Sequence, residues 1–236
     1  MSSDGSVSLE MIQHLRERFS QDPTNKLLQN ALSNGHLIDV ALDRDIVQST
    51  DSSFSTKLDS WTATNQRSSG RCWLFAALNL FRPGAMDMMN MKDFEFSQAH
   101  IHFWDKFERS NCFLESMIEL GNRDIGDRTV HFLLSDPIGD GGQWNMAMNL
   151  IRKHGLVPKS AFPESKSSSA TRWMNASLKD LLRSSACELR DMISRDVGLE
   201  EVRARKKEMI GGVWRLLCMH LGLSLIHISE PTRRLN

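Results

Sequence analysis

The chain has 236 residues, with 29 Lys+Arg against 29 Asp+Glu, 11 Phe, 6 Trp, 13 Met and no Tyr. Balanced charge and this apolar content exclude a disordered chain, and no apolar run approaches the roughly 20 residues a membrane span needs. Zero net charge gives a nucleic-acid partner no support, and four Cys (72, 112, 187, 218) in no metal-like or framework spacing point to free thiols in a reducing compartment, with no metal or cofactor expected.

The first element is a helix over 8–20, where Met11, Ile12, Leu15 and Phe19 recur at three to four residues behind a Ser8 cap. Pro23 stops it, and a second short helix is predicted over 24–34, ended by Asn34-Gly35. Residues 48–71 are polar and turn-rich and read as a surface loop. The character changes at Cys72 to CWLFAALNLF, an apolar helix that Pro83-Gly84 is expected to interrupt or kink.

Ser97 then caps a helix with Ile101, Trp104 and Phe107 on one face, running on through Phe113 and Met117 to Gly121. A short apolar stretch at 129–135 leads into the turn DPIGDGG. Gln143–His154 is amphipathic, with Trp144, Ala147, Met148 and Ile151 on one stripe, Gly155 as its cap and Pro158 beyond. A Ser-rich link at 165–171 precedes two long helices. The first is lined by Leu178, Leu181, Leu182, Leu189 and Ile193, and the second by Val202, Met209, Val213 and Leu217. The basic cluster at 203–207 reads as a solvated helix face. Strand patterns are nearly absent.

The chemistry concentrates at Gln66-Arg67-Ser68-Ser69-Gly70-Arg71-Cys72-Trp73. A Ser/Gly turn delivers a Cys to the first turn of an apolar helix, where unpaired N–H groups and the positive end of the helix dipole favour a thiolate nucleophile. The Cys72 N–H is free for an oxyanion, and Gln66, six residues upstream, can fold back as second donor. Trp73 can shield the site from water. Taken residue by residue, the same stretch also reads as a buried helix-start cysteine beside a core tryptophan, and Asp140-Gly141-Gly142 as a tight turn capping the following helix.

In combination these residues resemble a known family. NQRSSGRCW is similar to the nucleophile motif of papain-like cysteine peptidases, in the SSGRCW form of the bleomycin hydrolase and aminopeptidase C branch. FEFSQAHIHFWDKFER, DPIGDGGQW, KHGLVPKSAFPES and ATRWMN resemble further segments of that branch in order, with His100 where a Tyr is usual. The resemblance covers about residues 8–222. It implies an α+β papain-like fold, of which this chain would be mostly the helical subdomain with the β subdomain missing. It implies Cys72 as nucleophile, Gln66 in the oxyanion hole, and Gly141, Gly142 and Trp73 lining a cleft for a peptide or amide substrate. Cytosolic location and a homo-hexameric ring are further expectations; nucleic-acid binding, reported for some members, gains nothing from the charge.

The expected organisation is an N-terminal helical segment at 1–47, the helical peptidase subdomain at 48–163, the start of a helical insertion at 164–222, and a tail at 223–236. LSLIHISEPTR in that tail matches the one-frame translation of a transposase-type sequencing adapter, so a truncated reading frame is expected. Of eight His, His220 lies 148 residues after Cys72, within the papain-type spacing for a base. It sits at a helix end with no Asn-Ser-Trp after it, so it is rejected, and His100 and His102 read as helix-surface or core histidines. The catalytic His and Asn are expected to be absent, leaving a chain with little or no turnover and exposed apolar surface. The alternative is a non-catalytic fragment or interaction protein of the same family.

Overall fold

The computed structural model describes residues 6–51, 53, 55 and 62–222. The tail at 223–236 lies outside the described residues. The chain divides into two compact units, Met1–Leu58 and Asp59–Asn236.

The first unit carries α1 (Leu9–Gln21), α2 (Pro23–Asn34), α3 (Leu37–Ala41) and α4 (Arg44–Ser49). Ser8 caps α1 by accepting from the Met11 N–H, and Asp22 caps α2 through the Thr24 N–H. Pro23, which ends α1, is also the first residue of α2, where its missing N–H costs nothing. None of these four helices fully buries a residue. The two one-turn helices over 37–49 carry too little periodicity for the sequence to announce them.

The second unit carries α5 (Cys72–Met89), α6 (Gln98–Glu119), α7 (Arg128–Ser135), α8 (Trp144–His154), α9 (Lys166–Ser169), α10 (Arg172–Ser194) and α11 (Leu199–Leu221). One apolar core joins Phe103, Leu114 and Met117 of α6, Leu178, Leu182 and Leu189 of α10, and Val202, Val213 and Leu217 of α11. Each such side chain contributes about 1.5–3 kcal/mol by leaving water. Residues on both sides of position 163 therefore share a single core. A second cluster of Leu74, Leu78, Ile101 and Leu150 seats α5 against α6 and α8, which fixes the helix that begins at Cys72.

The expected interruption at Pro83-Gly84 does not occur: α5 runs unbroken through Pro83. Pro83 removes one ladder hydrogen bond, but Leu78 and Met86 are buried on either side of it, and the buried Arg82 is tied to Asp93 at 2.8 Å and to the Thr62 carbonyl at 3.0 Å. The short apolar stretch near 130 is helical, started by Asp127 accepting from the Thr129 and Val130 N–H groups. Among the described residues the only β pairing is two isolated bridges, Ser68 with Ala170 and Phe96 with Pro158. No described helix is long and apolar enough to cross a membrane. Leu80, Met88, Phe132, Trp173 and Met219 of this unit are exposed, and half-exposed Trp144 stacks on Phe81 at 5.8 Å.

Candidate active site

Residues 66–71 reach α5 through a chain of polar contacts rather than through regular structure. Arg67 takes a left-handed conformation (φ +56°), stabilised by Asn65, whose side-chain oxygen accepts from the Arg67 N–H at 2.8 Å. Ser69 donates its hydroxyl to the Gln66 carbonyl at 2.6 Å and accepts from Arg71 Nε at 2.8 Å. The Arg71 guanidinium, almost wholly buried, meets the Glu164 carboxylate in a two-pronged pair at 2.8 and 2.9 Å and covers the Phe75 ring at 5.1 Å. Ser168 donates to the same carboxylate. The backbone of Ser68 is stitched to the same distant segment: its N–H donates to the Ser169 carbonyl, and its carbonyl accepts from the Thr171 N–H.

This arrangement puts Cys72 at the first position of α5 with its side chain exposed and its thiol free. The reading as a buried structural cysteine fails on that exposure. As the first helical residue, its N–H has no partner within the helix. The Gln66 side chain has a buried Oε1 with no hydrogen-bond partner among the described residues.

The second wall is the turn over 138–142, held from below by α6. Lys106, almost fully buried, donates to the Ile138 carbonyl (2.9 Å), the Gly139 carbonyl (3.3 Å) and Asp140 Oδ1 (2.9 Å). Arg109 donates to the Gly141 carbonyl, pairs with Asp105 at 2.7 Å and lies 5.9 Å from the Trp73 ring. Burial pushes the Asp105 carboxyl up, opposed by Arg109. Gly141 has φ +88°, which only glycine adopts without strain. Its N–H donates to the Gly70 carbonyl at 3.4 Å, so the turn docks on the loop that precedes Cys72. Gly142 lies against the Trp73 indole: a Cβ there would fall 2.7 Å from the ring. Cys72, Trp73, Gly141 and Gly142 are thus brought to one place by contacts between loop and turn.

Three histidines make contacts elsewhere, and a fourth, His102, is buried. His102 is buried beneath the site, and burial, reinforced by Lys106, Arg71 and Arg109, pushes its imidazole well below the ordinary value. His100 is buried, with Nε2 3.4 Å from the His154 carbonyl. His154 stacks on Trp104 at 3.9 Å with Nε2 on Glu108 at 2.9 Å. His220 sits with Nδ1 2.8 Å from the Ser167 hydroxyl. Among the described residues, no three His, Cys, Asp or Glu side chains converge to hold a metal ion.

Sequence reasoning did not single out Glu164, Lys106 or Arg109 as site residues. Glu164 is 93 positions from its partner, so no local pattern connects them. Lys106 and Arg109 lie inside the FWDKFER segment, where the i, i+3 spacing that lets both reach the 138–142 turn was the available signal.

The sequence profile of the peptidase C1-like family matches residues 6–225. The chain is 40% identical over 218 residues to aminopeptidase C of Streptococcus thermophilus, covering 92% of this chain and 49% of that protein. It is 37% identical over 217 residues to aminopeptidase C of Lactobacillus delbrueckii subsp. lactis, covering 92% and 48%. It is 37% identical over 226 residues to human bleomycin hydrolase, covering 94% and 50%. The crystal structure of PepW from Lactobacillus rhamnosis HN001 superposes with a TM-score of 0.86 at 36% identity, covering 93% of this chain and 49% of that one. The chain spans about half the length of the relatives it matches.

Proposed function

Because the chain belongs to the peptidase C1-like family, we propose that it carries the nucleophile side of a cysteine peptidase of the aminopeptidase C and bleomycin hydrolase type, acting on peptide or amide bonds. Cys72 Sγ attacks the carbonyl carbon, and the developing oxyanion accepts from the Cys72 N–H and the Gln66 amide. The C–N bond breaks as the leaving amine takes up the proton the thiol gave up, and water then hydrolyses the thioester to the acid and the free thiol. The peptide backbone lies along Gly141 and Gly142, where the missing Cβ lets a second backbone approach. The observation that carries this reading is an exposed thiol on the first residue of α5, walled by the Trp73–Gly142 contact.

The attack needs an imidazole to take the thiol proton and a group to orient it. His100, His154 and His220 each make other contacts and His102 is buried, which supports a base supplied from outside the described residues. On this proposal, residues 6–222 alone turn over substrate very poorly. Family resemblance is also the basis for expecting a cytosolic protein that assembles as a homo-hexameric ring, which light scattering on the full-length protein would test. The protein expressed from its full-length gene should hydrolyse aminoacyl amides, and Cys72→Ala should abolish that. Unchanged hydrolysis in the variant overturns the assignment.

A further inference from the structure

We propose that Arg71, with Glu164 and Ser69, is a positioning group for the oxyanion hole, a role that rests on the reading of Cys72 as nucleophile. The path is continuous: the Glu164 carboxylate grips both terminal nitrogens of Arg71, Arg71 Nε holds the Ser69 hydroxyl, and that hydroxyl holds the Gln66 carbonyl. The chain ends on the backbone of the residue whose side-chain amide must meet the oxyanion.

Three features separate this from an ordinary structural ion pair. Arg71 immediately precedes Cys72, so the same guanidinium that fixes Gln66 also fixes the start of α5. Arg71 is about as buried as the core leucines while Glu164 keeps roughly a quarter of its side-chain surface open, so Arg71 is the more constrained member of the pair. Ser69 is also buried, and its hydroxyl serves both partners at once, accepting from Arg71 and donating to the Gln66 carbonyl. A guanidinium fork locks direction as well as distance, which a lysine does not. Loss of the fork therefore moves the donor without removing it, and displacement of a group in an acyl-transfer site by an ångström is enough to slow reaction.

The test compares two reactions of the same thiol on the 236-residue chain, each followed at Cys72 by peptide mapping. With p-nitrophenyl acetate, a Cys72 Sγ–acyl bond forms and the ester C–O bond breaks. p-Nitrophenolate leaves with the bonding electrons and the thiol proton goes to solvent, through a tetrahedral oxyanion. With iodoacetamide, an S–C bond forms as iodide leaves, and no oxyanion arises. Wild-type Cys72 is expected to be acylated faster, relative to alkylation, than the exposed Cys187, and Gln66→Ala to erase that advantage. Arg71→Lys and Ser69→Ala are expected to lower acylation about tenfold while alkylation stays within about twofold.

Ser69→Ala leaves the Arg71–Glu164 pair in place and decides the matter if Arg71→Lys fails to fold. Acylation at the wild-type rate in Ser69→Ala overturns the proposal. So does an equal fall in both reactions, which would mark a structural role only. If wild-type Cys72 shows no acylation advantage over Cys187, the nucleophile reading itself falls and the positioning role falls with it.

Discussion

Gly142 packs against Trp73, so closely that a methyl group on Gly142 would sit 2.7–2.8 Å from three atoms of the indole. That contact joins the turn over 138–142 to the helix that begins at Cys72, and it uses the absence of a side chain as its interlocking surface. Gly142→Ala should force the indole or the turn to move, at a cost of about 1–3 kcal/mol. Urea denaturation checks the stability. The near-ultraviolet circular dichroism of the folded variant should change as Trp73 shifts. A variant with wild-type stability and spectrum would show that the two walls are not in contact.

Lys106 is the cation beneath that turn. Lys106→Met keeps the length and apolar stem but leaves the Ile138 and Gly139 carbonyls without their donor. The expected loss is about 2–4 kcal/mol, mostly from orphaned carbonyls, since Asp140 is half exposed and water can solvate it. Limited proteolysis should cut first within 138–142. Wild-type resistance there would refute the role given to Lys106.

Ser97 shows how a cap can serve two elements. Its hydroxyl accepts from the His100 N–H at 3.0 Å, starting α6, and donates to the Phe162 carbonyl at 2.5 Å. Ser97→Ala should cost about 1–3 kcal/mol, more than an exposed cap does, because the Phe162 carbonyl is left unpaired as well. A loss under about 0.5 kcal/mol, measured by urea unfolding, would sink this account.

His102 gives the stability a pH dependence of definite sign. Burial first, and the neighbouring Lys106, Arg71 and Arg109 after it, hold its imidazole well below the ordinary 6.5 in the folded chain. Below about pH 6.5 the unfolded chain takes up a proton that the folded chain refuses, so stability falls as the solution is acidified through that window. The fall is at most about 1.4 kcal/mol per pH unit from this one group. Above the ordinary value both states are neutral and the effect vanishes. His102→Leu should flatten the slope between pH 6.5 and 5 in urea midpoints. An unchanged slope would rule His102 out as its source.

Much of this architecture was legible because its signals are local. The Ser8 and Ser97 caps, the Asn34-Gly35 and Gly155 stops and the apolar stripes of α6, α8, α10 and α11 each lie within one turn of the residue that reveals them. The helix is not interrupted at Pro83 because the cost of one lost hydrogen bond is local, while the packing of Leu78, Met86 and Arg82 that outweighs it is tertiary. At the site, Gln66, Cys72, Trp73, Gly141 and Gly142 stood out as types with a chemical reason to be there. Their proximity was not readable, because the Trp73–Gly142 and Gly70–Gly141 contacts join segments about 70 residues apart. Glu164 gave no sign at all, since one carboxylate in a Ser-rich stretch has no local reason to meet a guanidinium far upstream.

The 93-residue separation between Arg71 and Glu164 also bears on the order of assembly. Closing so long a loop carries an entropy cost that grows with the logarithm of its length, and it is offset only after the intervening helices have already drawn its ends together. The loop that presents Cys72 is held by polar contacts rather than by the apolar core that α6, α10 and α11 share, so it is expected to open before that core does. In native-state hydrogen exchange, the Ser68 and Thr171 amides, bonded across this closure, should be released together at a lower free energy than the amides of Leu114 and Leu182. A chain arrested at the stage of a finished helical core would hold every residue of the site and yet have no site.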